Sequence, residues 1–222
     1  MNVTFLIGNG FDLACGMKTR YSDVYEGYIK APSATPIIEQ FKADLIKEKT
    51  KENWGNWSDF EMGMAKYASN FSSEKDFISC IADFKKFLKQ HLQKEQERFE
   101  ETWDQINEIA TDATYEYLYD FISGFYLGVS KKIEREINEK KKTFTQNYFI
   151  NFNYTKALQI VLEHFSSSIN LYHLHGALES GDVTLGVDNE SQIKNGFTLT
   201  KRSKRVFIKP FFNNEEDPQK IR

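Results

Sequence analysis

The chain has 222 residues, of which 40% are hydrophobic and 15% aromatic, enough to bury a core within one large domain. Its 29 Lys plus Arg face 32 Asp plus Glu, for a formal net charge of -3. That balance argues against wholesale attraction to nucleic acid or to an anionic membrane, and leaves small anions as partners.

The chain opens with Val3 to Ile7, an apolar run without strict alternation, which predicts a strand buried on both faces at the centre of a parallel sheet. The run passes directly into Gly8, Asn9, Gly10, Phe11 and Asp12. Glycines here predict backbone angles and close approaches that a Cβ would forbid, with peptide N–H groups open to a phosphate at the start of the next helix. A tight strand-to-helix turn would use the same residues. Leu13 stands where the third glycine of G-x-G-x-x-G would fall, so the ordinary dinucleotide fingerprint is not met.

No basic segment precedes this run and Asp12 closes it, unlike a secretory signal. No other window approaches the roughly 18 uncharged apolar residues of a membrane span. Cys15 and Cys80 make neither a disulfide framework nor a ligand-spaced cluster. The expectation is a soluble, cytoplasmic protein.

Pro32 and Pro36 bracket a loop before a helix expected over residues 36–49. Another helix is expected from Trp57, where Ser58 and Glu61 have the spacing of a capping box. Between residues 73 and 138 apolar positions recur at steps of three and four: Phe77, Ile81, Phe84, Leu88 and Leu92, then Phe99, Trp103, Ile106, Ala110, Ala113, Tyr117 and Phe121. Long amphipathic helices follow from that rhythm. Their mixed-sign outer positions read as a solvated face, with a coiled-coil partner surface as the alternative.

Strand character returns over residues 143–155 and 169–176, separated by a helix over 155–165, and a short strand is expected over 183–186. Strand, helix, strand implies a parallel crossover. The fold expected is α/β, an open and mainly parallel sheet of nucleotide-binding type in a single domain spanning residues 1–222. A large all-helical insertion, about residues 37–138, separates the first strand from the rest.

Ligands of such sheets sit beyond the carboxyl ends of the strands. Strand one delivers Gly8, Asn9, Gly10 and Asp12, strand two Asn151, Asn153 and Thr155, and strand three His173, His175 and Gly176. Asn153 could equally cap the following helix, and the histidines could simply pack. Two histidines without a cysteine or carboxylate at ligand spacing specify no metal. Asp188 could hold a ribose hydroxyl or make an Asx turn.

The ordered set Gly-Asn-Gly-Phe-Asp, Trp-Ser-Asp-Phe-Glu, Asn-Phe-Asn-Tyr-Thr, His-Leu-His-Gly and Leu-Gly-Val-Asp-Asn resembles the AbiH family of bacterial abortive-infection proteins, which are phage-resistance factors. The resemblance runs from residue 3 to about 189. That family is in turn distantly similar to sirtuin-like NAD-binding domains of Rossmann-like fold, whose motifs match Gly8 to Asp12, Asn153 and His175-Gly176.

The resemblance implies NAD or a related nucleotide as ligand or substrate, with no metal. It implies Asn153 and His175 as catalytic residues, and Gly8, Asn9, Gly10, Phe11, Asp12, Thr155, Gly176 and Asp188 as nucleotide-binding residues. Hydrolysis of the nicotinamide-ribose bond is the implied activity, and a non-catalytic sensor or protein-interaction effector is the alternative. A phage or host protein as trigger and self-association stay open as partners, with no nucleic acid and no membrane. Two departures stand out. Thr155 replaces the acid that sirtuin-like enzymes carry two places after the strand-end Asn, and a later Gly-His-Ser-Leu-type strand is missing before Arg222, as expected of a C-terminally truncated chain. The basic residues Lys201, Arg202, Lys204, Arg205 and Lys209 lack an aromatic stacking platform and read as a strand edge or tail.

Overall fold

The computed structural model describes residues 2–52, 54–108, 113–140, 146–165, 169–179, 183–194, 198 and 200–209. It divides into two compact units, Met1–Thr19 with His91–Asp182 and Arg20–Gln90 with Val183–Arg222.

The first unit holds strands β1 (Asn2–Ile7), β2 (Gln146–Asn151) and β3 (Leu171–His173), with helices α1 (Gly10–Ala14), α6 (Ala113–Lys140) and α7 (Ala157–Phe165). The strands are parallel in the order β1-β2-β3, and Ile7, Asn151 and His173 lie level across their carboxyl ends. The ladder continues one step beyond, where the Phe152 N–H donates to the Ile7 carbonyl at 2.8 Å and the Leu174 N–H to the Asn151 carbonyl at 2.9 Å.

One sheet face is covered. Phe5 stacks on Phe149 at 5.1 Å, and both join a core with Phe11, Trp103, Leu158, Val161 and Leu162. Each such side chain, fully buried, contributes about 1.5–3 kcal/mol. The expectation that β1 is central and covered on both faces is corrected: among the described strands β1 lies at the edge, with Leu6 66% exposed on the opposite face. An apolar run states that a strand can be buried; the helices supplied by the rest of the chain decide which faces are.

The second unit contains α2 (Tyr21–Lys30), α3 (Pro36–Glu52), α4 (Trp57–Tyr67) and α8 (Lys201–Phe207). Helix α5 (Glu74–Glu108) begins in this unit and ends in the first. Its core is aromatic, with Tyr28, Phe41, Phe60, Phe77, Phe84 and Phe207 all fully buried. Tyr28 meets Phe84 edge-on at 4.9 Å and Phe77 meets Phe207 at 5.8 Å, geometry that aromatic quadrupoles favour.

The Ser58–Glu61 capping box is also corrected. Asn56 caps α4, its Oδ1 accepting the Asp59 N–H at 3.0 Å, so Ser58 sits inside the helix and Glu61 is released for another task. On the same helix a Cβ at Gly63 would lie 2.1 Å from Cζ2 of the buried Trp54. Gly63→Ala is therefore expected to destabilise the unit by about 1–3 kcal/mol, the usual cost of overpacking, read by denaturant unfolding together with a shift in tryptophan emission.

The strand expected over residues 183–186 is absent: Val187 makes a single parallel bridge with Ile208 instead. Gly186 has φ 150° and gives its N–H to the Glu61 carboxylate at 3.0 Å, which removes it from any ladder. The expected strand residues 143–145, the core side chains of Ile106, Ala110, Ala113 and Tyr117, and the side chains of Arg202 and Arg205 lie outside the described residues. Among the described residues, no helix is long and apolar enough to cross a membrane.

Candidate functional site

Three strand ends are drawn together by one residue. The Asn153 carboxamide donates to the Gly8 carbonyl at 3.1 Å and to Oδ1 of Asp12 at 2.8 Å, joining the segment after β2 to the turn after β1. Its backbone N–H donates to Oδ1 of Asn151 at 3.1 Å, and its carbonyl accepts Nδ1 of His173 at 3.0 Å, adding the end of β3. Thr155 donates its hydroxyl to Oδ2 of Asp12 at 2.7 Å. Asp12, Asn151, Asn153 and Thr155 are all buried.

Local rules account for each placement. The helix after β2 starts at Ala157, so Asn153 precedes it by several residues and is not its cap; its carboxamide donates rather than accepting a backbone N–H. With both amide hydrogens committed, only Oδ1 remains for a further partner. Burial raises the Asp12 carboxyl from 3.8 to about 6, with the hydrogen bonds from Thr155 and Asn153 pulling the other way. At Asn151, Oδ1 takes the Asn153 N–H, which fixes the orientation of the amide, and the buried Nδ2 has no hydrogen-bond partner among the described residues.

Gly8 and Gly10 differ from expectation. Neither has a positive φ, and a Cβ built on either meets no described atom within 4 Å. The backbone does not require glycine at these positions; what the glycines leave is open space. The turn spends some of its amides internally, Phe11 N–H on the Gly8 carbonyl at 3.0 Å and Leu13 N–H on that of Asn9 at 3.1 Å. Asn9 is tied to Thr19, accepting its hydroxyl at 2.6 Å and donating to its carbonyl at 3.0 Å. The Phe11 ring turns into the core against Phe121 and Phe125.

His175 is half-buried with its ring 5.6 Å from that of Phe152 and 6.3 Å from that of Tyr154, and Gly176 follows in the left-handed region at φ 83°. Thus Gly8, Asp12, Asn153 and Thr155 meet directly, and His173 joins them through the Asn153 carbonyl. Asp188 belongs to the other unit, where it is exposed and donates its N–H to Oε1 of Gln192 at 2.8 Å.

Sequence reasoning missed a second polar centre, within the second unit. Glu61 is buried, with Oε1 on the Gly186 N–H and Oε2 on Nζ of Lys209 at 2.8 Å. Burial raises its carboxyl above the usual range, and Lys209 and Gly186 hold it down. The available signal was phase: Glu61 lies three and four residues before the buried Met64 and Ala65, on the apolar stripe of α4, where a charge needs an internal partner.

No curated protein and no solved structure matches the chain. The family model for bacteriophage abortive infection AbiH matches residues 4–220, and the chain belongs to that family.

Proposed function

We propose that this abortive-infection protein binds NAD or a related nucleotide at the carboxyl ends of β1, β2 and β3 and hydrolyses its nicotinamide-ribose bond. The observation that carries this reading is the open space at Gly8 and Gly10, above a turn fastened to the buried Asn153–Asp12–Thr155 network. Asn9 is the N-cap of α1 and Gly10 its first residue, positions whose amides lack intrahelical partners and suit a phosphate oxygen. In this reading the sheet is Rossmann-like and sirtuin-like, with the helices of about residues 37–138 as an insertion, and Gly176 lines the ligand.

Asn153, through Oδ1, accepts a hydrogen from a ribose hydroxyl or from the attacking water. A strand-end histidine takes the water's proton, general-base work most often done by histidine; the resemblance names His175 for it. Loss of NAD from an infected cell would stop phage replication.

Gly10→Leu tests the carrying observation. The new Cβ meets no described atom within 4 Å and the position needs no unusual φ, so stability should stay within about 1 kcal/mol of wild type, while NAD affinity measured by calorimetry falls more than about tenfold. Wild-type protein that neither binds NAD nor releases nicotinamide from it sinks the proposal. Binding without release supports a nucleotide sensor instead, a reading favoured by one feature: both oxygens of the buried Asp12 are taken by Asn153 and Thr155, leaving this acid as framework.

A further inference from the structure

The two strand-end histidines are not equivalent, and we infer that His173, through Nε2, is the proton acceptor of this site. The inference rests on the nucleotide-hydrolase reading and deepens it. A carbonyl oxygen can only accept, so the 3.0 Å contact between Nδ1 of His173 and the Asn153 carbonyl places a hydrogen on Nδ1. A neutral ring so held carries its lone pair on Nε2. Among the described residues Nε2 of His173 meets no hydrogen-bonding partner, whereas the His175 ring packs 5.6 Å from that of Phe152 and 6.3 Å from that of Tyr154.

His173 also lies in register with Asn151, whose buried Nδ2 is an unmatched donor. Unmatched buried donors are rare in folded proteins and call for an explanation. A donor at Asn151, an acceptor oxygen at Asn153 and a fixed lone pair at His173 bracket the level at which the three strands end. They suit a ribose and the water that attacks it. The water oxygen bonds to the ribose C1′ as the C1′–N bond breaks. Its electron pair leaves on the nicotinamide nitrogen, and the water's proton passes to Nε2 of His173.

His173→Asn keeps a donor where Nδ1 stood and removes Nε2, and His175→Asn is its comparison. With the full chain and NAD, His173→Asn is expected to lose about 100-fold or more in nicotinamide release, with NAD affinity within about threefold of wild type, and to lose more than His175→Asn does. Release by His173→Asn close to wild type overturns the inference and leaves the nucleotide reading standing. A wild type with neither release nor affinity for ADP-ribose removes both.

Should the variant fail to fold, imidazole nitrogen spectra of the wild type decide. His173 is expected as the Nδ1–H tautomer, with an Nε2 signal that moves on adding ADP-ribose. An Nε2–H tautomer, or a His173 signal indifferent to a ligand that binds, overturns the inference.

Discussion

Gly186→Ala is expected to lose the folded second unit, at a cost above about 4 kcal/mol, the range in which single substitutions become exceptional. A Cβ there would stand 2.0 Å from the backbone oxygen of Phe207 and 2.5 Å from its carbonyl carbon. Backbone at both ends of the contact leaves no rotamer to relieve it, and φ 150° is itself unfavourable for an L-residue. Displacing residue 186 would also break its hydrogen bond to Glu61, whose other oxygen pairs with Lys209. A hydrogen bond to a charged group is worth about 1.5–3 kcal/mol, so the two losses reinforce each other. Circular dichroism and denaturant unfolding of the full chain check the outcome. A cooperative transition of wild-type amplitude and midpoint would mean that Gly186 does not approach Phe207 in this way.

The second large effect is a pH dependence centred on Asp12. Its carboxyl is raised from 3.8 to about 6, first by burial, with the Thr155 and Asn153 hydrogen bonds offsetting part of that rise. A carboxyl whose pKa is higher in the folded than in the unfolded state favours folding when protonated. That contribution is complete below about pH 4 and is lost as pH rises through about 6. The gap corresponds to about 3 kcal/mol. Asp12→Asn keeps the shape: its oxygen can accept from Asn153, and its amide can donate to the Thr155 hydroxyl, which rotates to accept. The unfolding free energy of wild type minus that of Asp12→Asn is therefore expected to fall by about 2.4 kcal/mol between pH 4 and pH 7. The remaining carboxylates are common to both proteins and cancel. Urea unfolding at intervals of one pH unit gives the difference, and a flat one would show that Asp12 ionises freely in the fold.

Local periodicity made the helices and the three parallel strands legible, because spacings of three and four or short apolar runs arise within a few residues of chain. The polar strand ends were legible for the same reason: Gly8 to Asp12, Asn153 and His173 each close an apolar run. Long-range pairing was not. Ser58 and Glu61 satisfy the capping-box spacing, yet Asn56 takes the cap, and Glu61 finds partners more than a hundred residues away in Gly186 and Lys209. Val183 to Gly186 has strand composition, but the Gly186 amide is drawn off by that carboxylate. Thr155 read as a lost acid, and its hydroxyl instead donates to Asp12 of the first motif. Coverage of β1 depended on helices that its own residues cannot specify.

The Asn153 carboxamide spans the Gly8 carbonyl and Asp12 while its main chain holds Asn151 and His173. Replacements at any of these positions share one set of bonds, so their free energies do not sum. Removing a second member after the first costs little more, and apportioning this hub among its residues takes thermodynamic cycles of paired substitutions rather than a scan of singles.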